Sequence, residues 1–157
     1  MLRPTALFAA LLAVSGCDAF SSGPDSLAEA RALWAEAGAE DYVVEQHYEF
    51  VCHACSGGSR LEFATVTVRD GEVVLVVDAD GAVLFDIDAG PPSYVPVALS
   101  VEDAFEAIEH AERYPDSWDG RVRVDYDAET GYPTRIDLGE EDSGYYTRAR
   151  LRELRAF

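Results

Sequence analysis

The hydrophobic positions of the chain keep two periods. From Ser26 to Gly38 the apolar residues Leu27, Ala30, Leu33, Trp34 and Ala37 recur at helical spacing, and Ser26 with Glu29 predicts a capping box at the start. Gly38 predicts the stop. From Tyr42 the period becomes two. Tyr42, Val44, Tyr48, Phe50 and Cys52 share one side of an extended segment and Glu45, His47 and Glu49 the other, which predicts a half-buried strand. A second strand is expected from about Leu61 to Arg69, a hairpin turn at Asp70-Gly71, an apolar β-branched strand over Val73 to Val77, a second turn at Asp80-Gly81 and a fourth strand through Val83, Phe85 and Ile87. Pro91, Pro92 and Pro96 predict a crossing without regular pairing. The helical period then returns: Ser100 to Asp103 repeats the capping pattern, Val101, Ala104, Phe105, Ile108 and Ala111 form a stripe, and Pro115 ends it. Three further strands are expected over Arg121 to Asp127, Tyr132 to Leu138 and Tyr145 to Leu154.

This order, α-ββββ-α-βββ, reads as a loose duplication of a helix-then-hairpins unit. Consecutive hairpins force antiparallel pairing, and two amphipathic helices cover one face. The expected fold class is α+β, an antiparallel sheet of about seven strands with two helices on one face and the other face open.

The N-terminus follows a different logic. Arg3 precedes an apolar run from Thr5 to Val14, shorter than the roughly 20 residues a membrane-spanning helix needs. Val14-Ser15-Gly16-Cys17 closes it with small residues and a thiol, the pattern at which bacterial lipoprotein precursors are cut and lipidated. The expected organisation is a signal peptide over 1–16, a polar tether over 17–25 carrying lipid on Cys17, and one α+β domain over 26–157. The expected location is the cell envelope, outside the cytoplasm, with the membrane engaged through the N-terminal lipid.

Charge narrows the partners. The chain has 30 acidic residues against 12 basic ones, a net charge of −18. Nucleic acid is excluded as a partner, since phosphate-backbone binding needs a basic footprint. All 12 basic residues are arginines, and they are unevenly spread. Residues 17–120 hold four arginines and 22 acids, residues 121–157 seven arginines and eight acids. Alternation places Arg121, Arg123, Arg135, Arg148, Arg150 and Arg152 on the face opposite Val122, Val124, Ile136, Leu138, Ala149 and Leu151, in the company of Asp125 and Asp137. Two readings follow: cross-strand ion pairing on a solvated face, or a docking surface for an acidic protein partner or anionic lipid head groups.

The remaining motifs carry less chemistry. Cys52-His53-Ala54-Cys55 is a C-x-x-C, but Ser56-Gly57-Gly58-Ser59 follows in place of the helix that activates a redox thiol, and no histidine directly follows Cys55 as haem attachment requires. Zinc would have to recruit His47 or His53 without a second ligand pair. A disulfide between Cys52 and Cys55 suits an oxidising compartment, and metal handling or thiol redox chemistry at this motif is the alternative function. Asp78-Ala79-Asp80-Gly81 begins like a calcium loop, yet Ile87 stands where the bidentate glutamate belongs, so it reads as a turn, as does Asp127-x-Glu129-x-Gly131. No nucleophile elbow or phosphate-cradling glycine loop occurs, and His110 falls at a helix end. No catalytic residue, cofactor or metal is expected. The function expected is binding at the cell envelope, not catalysis.

The lipidation pattern, Trp34, Asp41-Tyr42 ahead of a cysteine-bearing strand, the V-x-V-x-D-G hairpin from Val66 to Gly71, the helix start Val101-Glu102-Asp103-Ala104-Phe105, and Val124-Asp125-Tyr126-Asp127 followed by Gly131-Tyr132-Pro133-Thr134 together resemble an uncharacterised family of small bacterial lipoproteins, a domain-of-unknown-function family. The resemblance covers nearly all of the chain after Cys17 and implies a small extracytoplasmic lipoprotein with no assigned enzymatic activity.

Overall fold

A computed structural model describes residues 23–52, 57–89 and 98–157. The Val14–Cys17 motif, most of the tether, His53, Cys55 and the prolines at 91, 92 and 96 lie outside the described residues. Among the described residues no helix is long and apolar enough to cross a membrane.

The first helix, α1 (Leu27–Ala37), starts where Ser26 Oγ accepts a hydrogen bond from the Glu29 backbone N–H at 3.3 Å. The reciprocal half of the expected capping box is displaced by one residue, because the Glu29 carboxylate accepts from the N–H of Asp25 at 3.0 Å instead of that of Ser26. Gly38 closes the helix, donating to the Trp34 carbonyl at 3.2 Å. Of the expected stripe, Ala30 and Trp34 are buried and Ala37 is exposed. The narrowing follows from how the helix sits. Ala30 presses on the turn at Gly131, where any β-carbon would collide with the Ala30 carbonyl oxygen.

The strands are β1 (Tyr42–Cys52), β2 (Gly57–Arg69), β3 (Glu72–Val77), β4 (Val83–Asp86), β5 (Val122–Tyr126), β6 (Pro133–Glu140) and β7 (Tyr145–Ala156), with α2 (Val101–Arg113) between β4 and β5. They form one antiparallel sheet in the order β4-β3-β2-β1-β7-β6-β5. The meanders β2–β4 and β5–β7 are the two wings, and β1 joins them, pairing with β2 on one side and β7 on the other. The α+β fold with two helices and seven strands in the order α-ββββ-α-βββ matches the expectation.

Two local differences have physical causes. β2 begins at Gly57, ahead of the expected Leu61, because Gly57 to Arg60 pair with Cys52 to Glu49 despite their loop-like composition. Of the two expected hairpin turns, Asp70-Gly71 has both residues at positive φ (50° and 77°), as a two-residue hairpin needs. At the other turn Asp78 organises the chain, its Oδ1 accepting from the N–H groups of Asp80 (3.0 Å) and Ala82 (2.8 Å).

The core lies between the helices and the even-numbered side of β1. Tyr42, Val44 and Tyr48 are buried there with Leu61, Val66 and Val68 of β2, Ile136 and Leu138 of β6, and Ala149 and Leu151 of β7. The expected stripe of α2, Val101, Ala104, Phe105, Ile108 and Ala111, is buried in full. Its capping box is complete, Ser100 Oγ accepting from the Asp103 N–H and the Asp103 carboxylate from the Ser100 N–H.

Polar side chains lock α2 in place. The Tyr42 hydroxyl accepts from the Val101 N–H at 2.7 Å, and Trp34 Nε1 donates to Glu102 at 2.7 Å, so β1 and α1 both grip the first turn of α2. Burial is the main reason the Tyr42 hydroxyl is held far above its ordinary ionisation range. Gln46 is fully buried and satisfies both backbone groups of Leu99, its Nε2 donating to the carbonyl at 3.2 Å and its Oε1 accepting from the N–H at 2.9 Å. A single side chain thereby satisfies the backbone of Leu99, just ahead of the Ser100 cap.

Candidate functional site

Among the described residues nothing covers the opposite face of the sheet, which carries charge in rows. Antiparallel register sets Arg123 of β5 beside Asp137 of β6, Asp137 beside Arg148 of β7, and Arg148 beside Glu49 of β1. The adjacent row runs Asp125, Arg135, Arg150 and His47 over the same four strands. Since side chains two apart on a strand share a face, two rows suffice to gather arginines from three strands.

Five of the six arginines of the expected stripe, Arg121, Arg123, Arg135, Arg148 and Arg150, line one cleft of about 260 Å³ together with Asp137 and Gly139. Gly139, two positions beyond Asp137 on β6, lines the cleft with backbone alone; its φ is 77°, and any β-carbon there would strike the Tyr145 carbonyl oxygen of β7. The sixth arginine, Arg152, lies apart, its Nε 2.7 Å from Glu45 of β1 and its guanidinium 4.0 Å from the ring centre of Phe63 of β2.

Asp137 is the hub. Its carboxylate lies 2.6 Å from Arg135 Nη2 and 2.9 Å from Arg150 Nη1, with its side chain 13% exposed against 34% for each arginine. Burial works to raise its ionisation, and the hydrogen bonds and charges of Arg150 and Arg135 outweigh burial, holding the carboxyl below its ordinary range. At the rim the ties are looser: Arg121 to Glu140 and Arg148 to Glu141, each at 3.2 Å between exposed or half-exposed groups. Arg135 also approaches Asp125 at 4.0 Å. Arg123 makes no ion pair among the described residues. Arg148 further lies over the Tyr146 ring at 4.8 Å, which covers that tyrosine on an otherwise open face.

Alternation therefore located the arginines, and ion pairing engages five of the six. The acids it named, Asp125 and Asp137, are joined by Glu140 and Glu141 at the β6–β7 turn and by Glu45 from β1. The run Glu140-Glu141-Asp142 was visible as a local acid cluster following a strand. The contribution of Glu45 depends on the β1–β7 pairing and had no local signal.

The other singled-out residues fall elsewhere. Cys52 is buried at the end of β1 on the core side, whereas His47 belongs to the open face, its ring 5.4 Å from that of Phe63 and its Nδ1 4.0 Å from Glu62. Opposite faces of one strand cannot supply ligands to one zinc ion at bonding distances near 2 Å. Asp127 Oδ1 is engaged by the N–H groups of Glu129 and Thr130 and by the Thr130 hydroxyl. Burial works to raise the Asp127 carboxyl, and the bonds from Thr130 and Glu129 overcome it, holding the group low. His110 is exposed in the last turn of α2 with its ring 4.9 Å from that of Tyr114.

No curated protein and no solved structure matches the chain. One family model, described as a family of unknown function, matches residues 26–145, from the N-cap of α1 to the first residue of β7 and well over half of the sequence. With both helices and strands β1 to β6 inside that span, the chain belongs to this family of unknown function, DUF6174.

Proposed function

We propose that the chain is a lipid-anchored extracytoplasmic protein that acts as a binding module at the cell envelope and takes an anionic partner on the arginine face of its sheet. One observation carries the reading: five arginines of a chain with net charge −18 line a single cleft that nothing covers among the described residues. Exposed ion pairs stabilise a fold by only about 0–1 kcal/mol each, so stability alone gives little reason to gather them. The sequence Val14-Ser15-Gly16-Cys17 supports the anchor, and cleavage before Cys17 leaves the domain tethered beside the membrane. In this reading Cys52 pairs with Cys55 in a disulfide that closes the end of β1, as an oxidising compartment favours.

The test is capture at low salt from detergent-solubilised envelope by the tethered full chain and by its Arg148→Ser/Arg150→Ser variant. Loss of a saturable, salt-sensitive partner in the variant, with circular dichroism unchanged, is the expected result. Equal capture by both proteins removes the arginine face from the function. The mass of the non-reduced mature protein checks the rest: acylation at Cys17 and the absence of free thiols at 52 and 55 are expected.

A further inference from the structure

We infer that the arginine cleft is a site for a phosphate group carrying close to two negative charges, a phosphomonoester or inorganic phosphate. This inference rests on the reading of the arginine face as a binding surface and names its ligand class.

The argument starts from what is already neutralised. Five guanidiniums line the cleft and one carboxylate, that of Asp137, sits among them, leaving an excess of four positive charges in the lining. Asp137 is spent on Arg135 and Arg150, which form the floor. Arg121 and Arg148 each hold a rim glutamate by one contact of 3.2 Å, so most of their N–H donors are not engaged by those acids. Arg123 holds no carboxylate among the described residues. Three guanidiniums, from β7, from β5 and from Arg121 just ahead of β5, thus edge a cleft that Gly139 lines with backbone alone.

Shape then separates the anions. A carboxylate is planar, has two oxygens and carries one charge, and the cleft already contains one in its best-bonded position. A phosphomonoester presents three oxygens with a charge of about −1.5 to −2 near neutral pH, which matches donors approaching from more than one strand and leaves less of the positive excess uncompensated. Guanidinium forks bind such oxygens in pairs, where an ammonium acts as a point charge. A cavity of about 260 Å³ admits the group with part of what it esterifies. Asp137 repels the incoming dianion and at the same time orients Arg135 and Arg150, so it acts as a resident counter-charge that sets a threshold for affinity.

The experiment is calorimetric titration of the full mature chain at fixed ionic strength with three probes: inorganic phosphate, dihexanoyl phosphatidic acid and hexaglutamate. Wild type is expected to bind at least one phosphate probe. Arg123→Ser, which breaks no ion pair among the described residues, is expected to weaken that binding at least tenfold with an unchanged melting temperature, and Asp137→Asn to tighten it severalfold. Binding of inorganic phosphate alone identifies a free-phosphate site, and preference for the phosphatidic acid a lipid head group; both support the inference. Binding of hexaglutamate without either phosphate probe overturns the phosphate assignment and leaves the docking surface standing. Failure of all three probes overturns it too, and partner capture by the Arg148→Ser/Arg150→Ser variant then decides the fate of the docking surface separately. Phosphate binding that is unchanged in Arg123→Ser also overturns it, since the ligand would then lie elsewhere.

Discussion

The two wings of the sheet have the same strand count and the same antiparallel meander, but opposite surface chemistry. In the β2–β4 wing the exposed face carries Phe63, Thr65 and Val83, the latter 60% exposed, and its charged contacts on that face are the pairs Glu62 makes with Arg60 and His47. In the β5–β7 wing the same face is a ladder of arginines and acids centred on Asp137. A meander with tight turns and a buried inner face stands without the ladder in one wing, so the ladder in the other is not what an antiparallel sheet requires. Its arginines are therefore not accounted for by the sheet itself, as the proposed binding role expects.

The comparison holds only if stability resides in the shared inner face. The largest expected effect is accordingly at the seam between the wings. Leu151→Ala, at a buried position in β7, is expected to destabilise by about 2–5 kcal/mol in urea unfolding. Val83→Ala on the exposed edge strand is expected to stay within about 0.5 kcal/mol. Equal losses at the two sites would erase the distinction between inner and outer faces.

A smaller effect is expected at the ladder's hub. Asp137→Ala leaves two half-buried guanidiniums without their shared acceptor, a cost of about 1–3 kcal/mol. Because the folded state holds this carboxyl below its ordinary 3.8, its contribution is present above that value and fades as pH falls through the folded one. The gap between wild type and variant in urea midpoint should therefore be constant near neutrality and close in acid, and a gap that persists at low pH would assign it to packing. Small as well is Arg152→Ala, outside the cleft. Its ion pair with Glu45 and its contact with Phe63 are exposed, and a change of about 0–1 kcal/mol that shrinks with added salt is expected.

Local pattern was enough for most of the architecture. Period-two and helical stripes, two serine caps and the Asp70-Gly71 turn are short-range signals, and they place the elements, with the α1 stripe narrower than expected and Ile87 in a 3-10 turn just past β4. What escaped was nonlocal. Gln46 shares the parity of Tyr42, Val44 and Tyr48, so its burial was readable, but the backbone of Leu99 that it satisfies lies 53 positions away. Glu102 looked like an ordinary acid of a helix first turn, and only the folded chain brings Trp34 and Tyr42 to it. The arginine face was legible as a stripe. Its division into a cleft of five and a separate Arg152 was not, because that depends on which strand lies next to β7.

That neighbour is β1, and the fact bears on how the chain assembles. The first and last strands among the described residues are partners near the middle of the sheet, with Tyr42 facing Ala156 in register. Every nascent or truncated chain that lacks β7 leaves two unpaired rims, one on β1 and one on β6, each a template for pairing with another chain. Sequence-distant pairing of this kind slows folding. The twelve residues of β7 therefore hold the two half-sheets together, covering the rims of β1 and β6 at once.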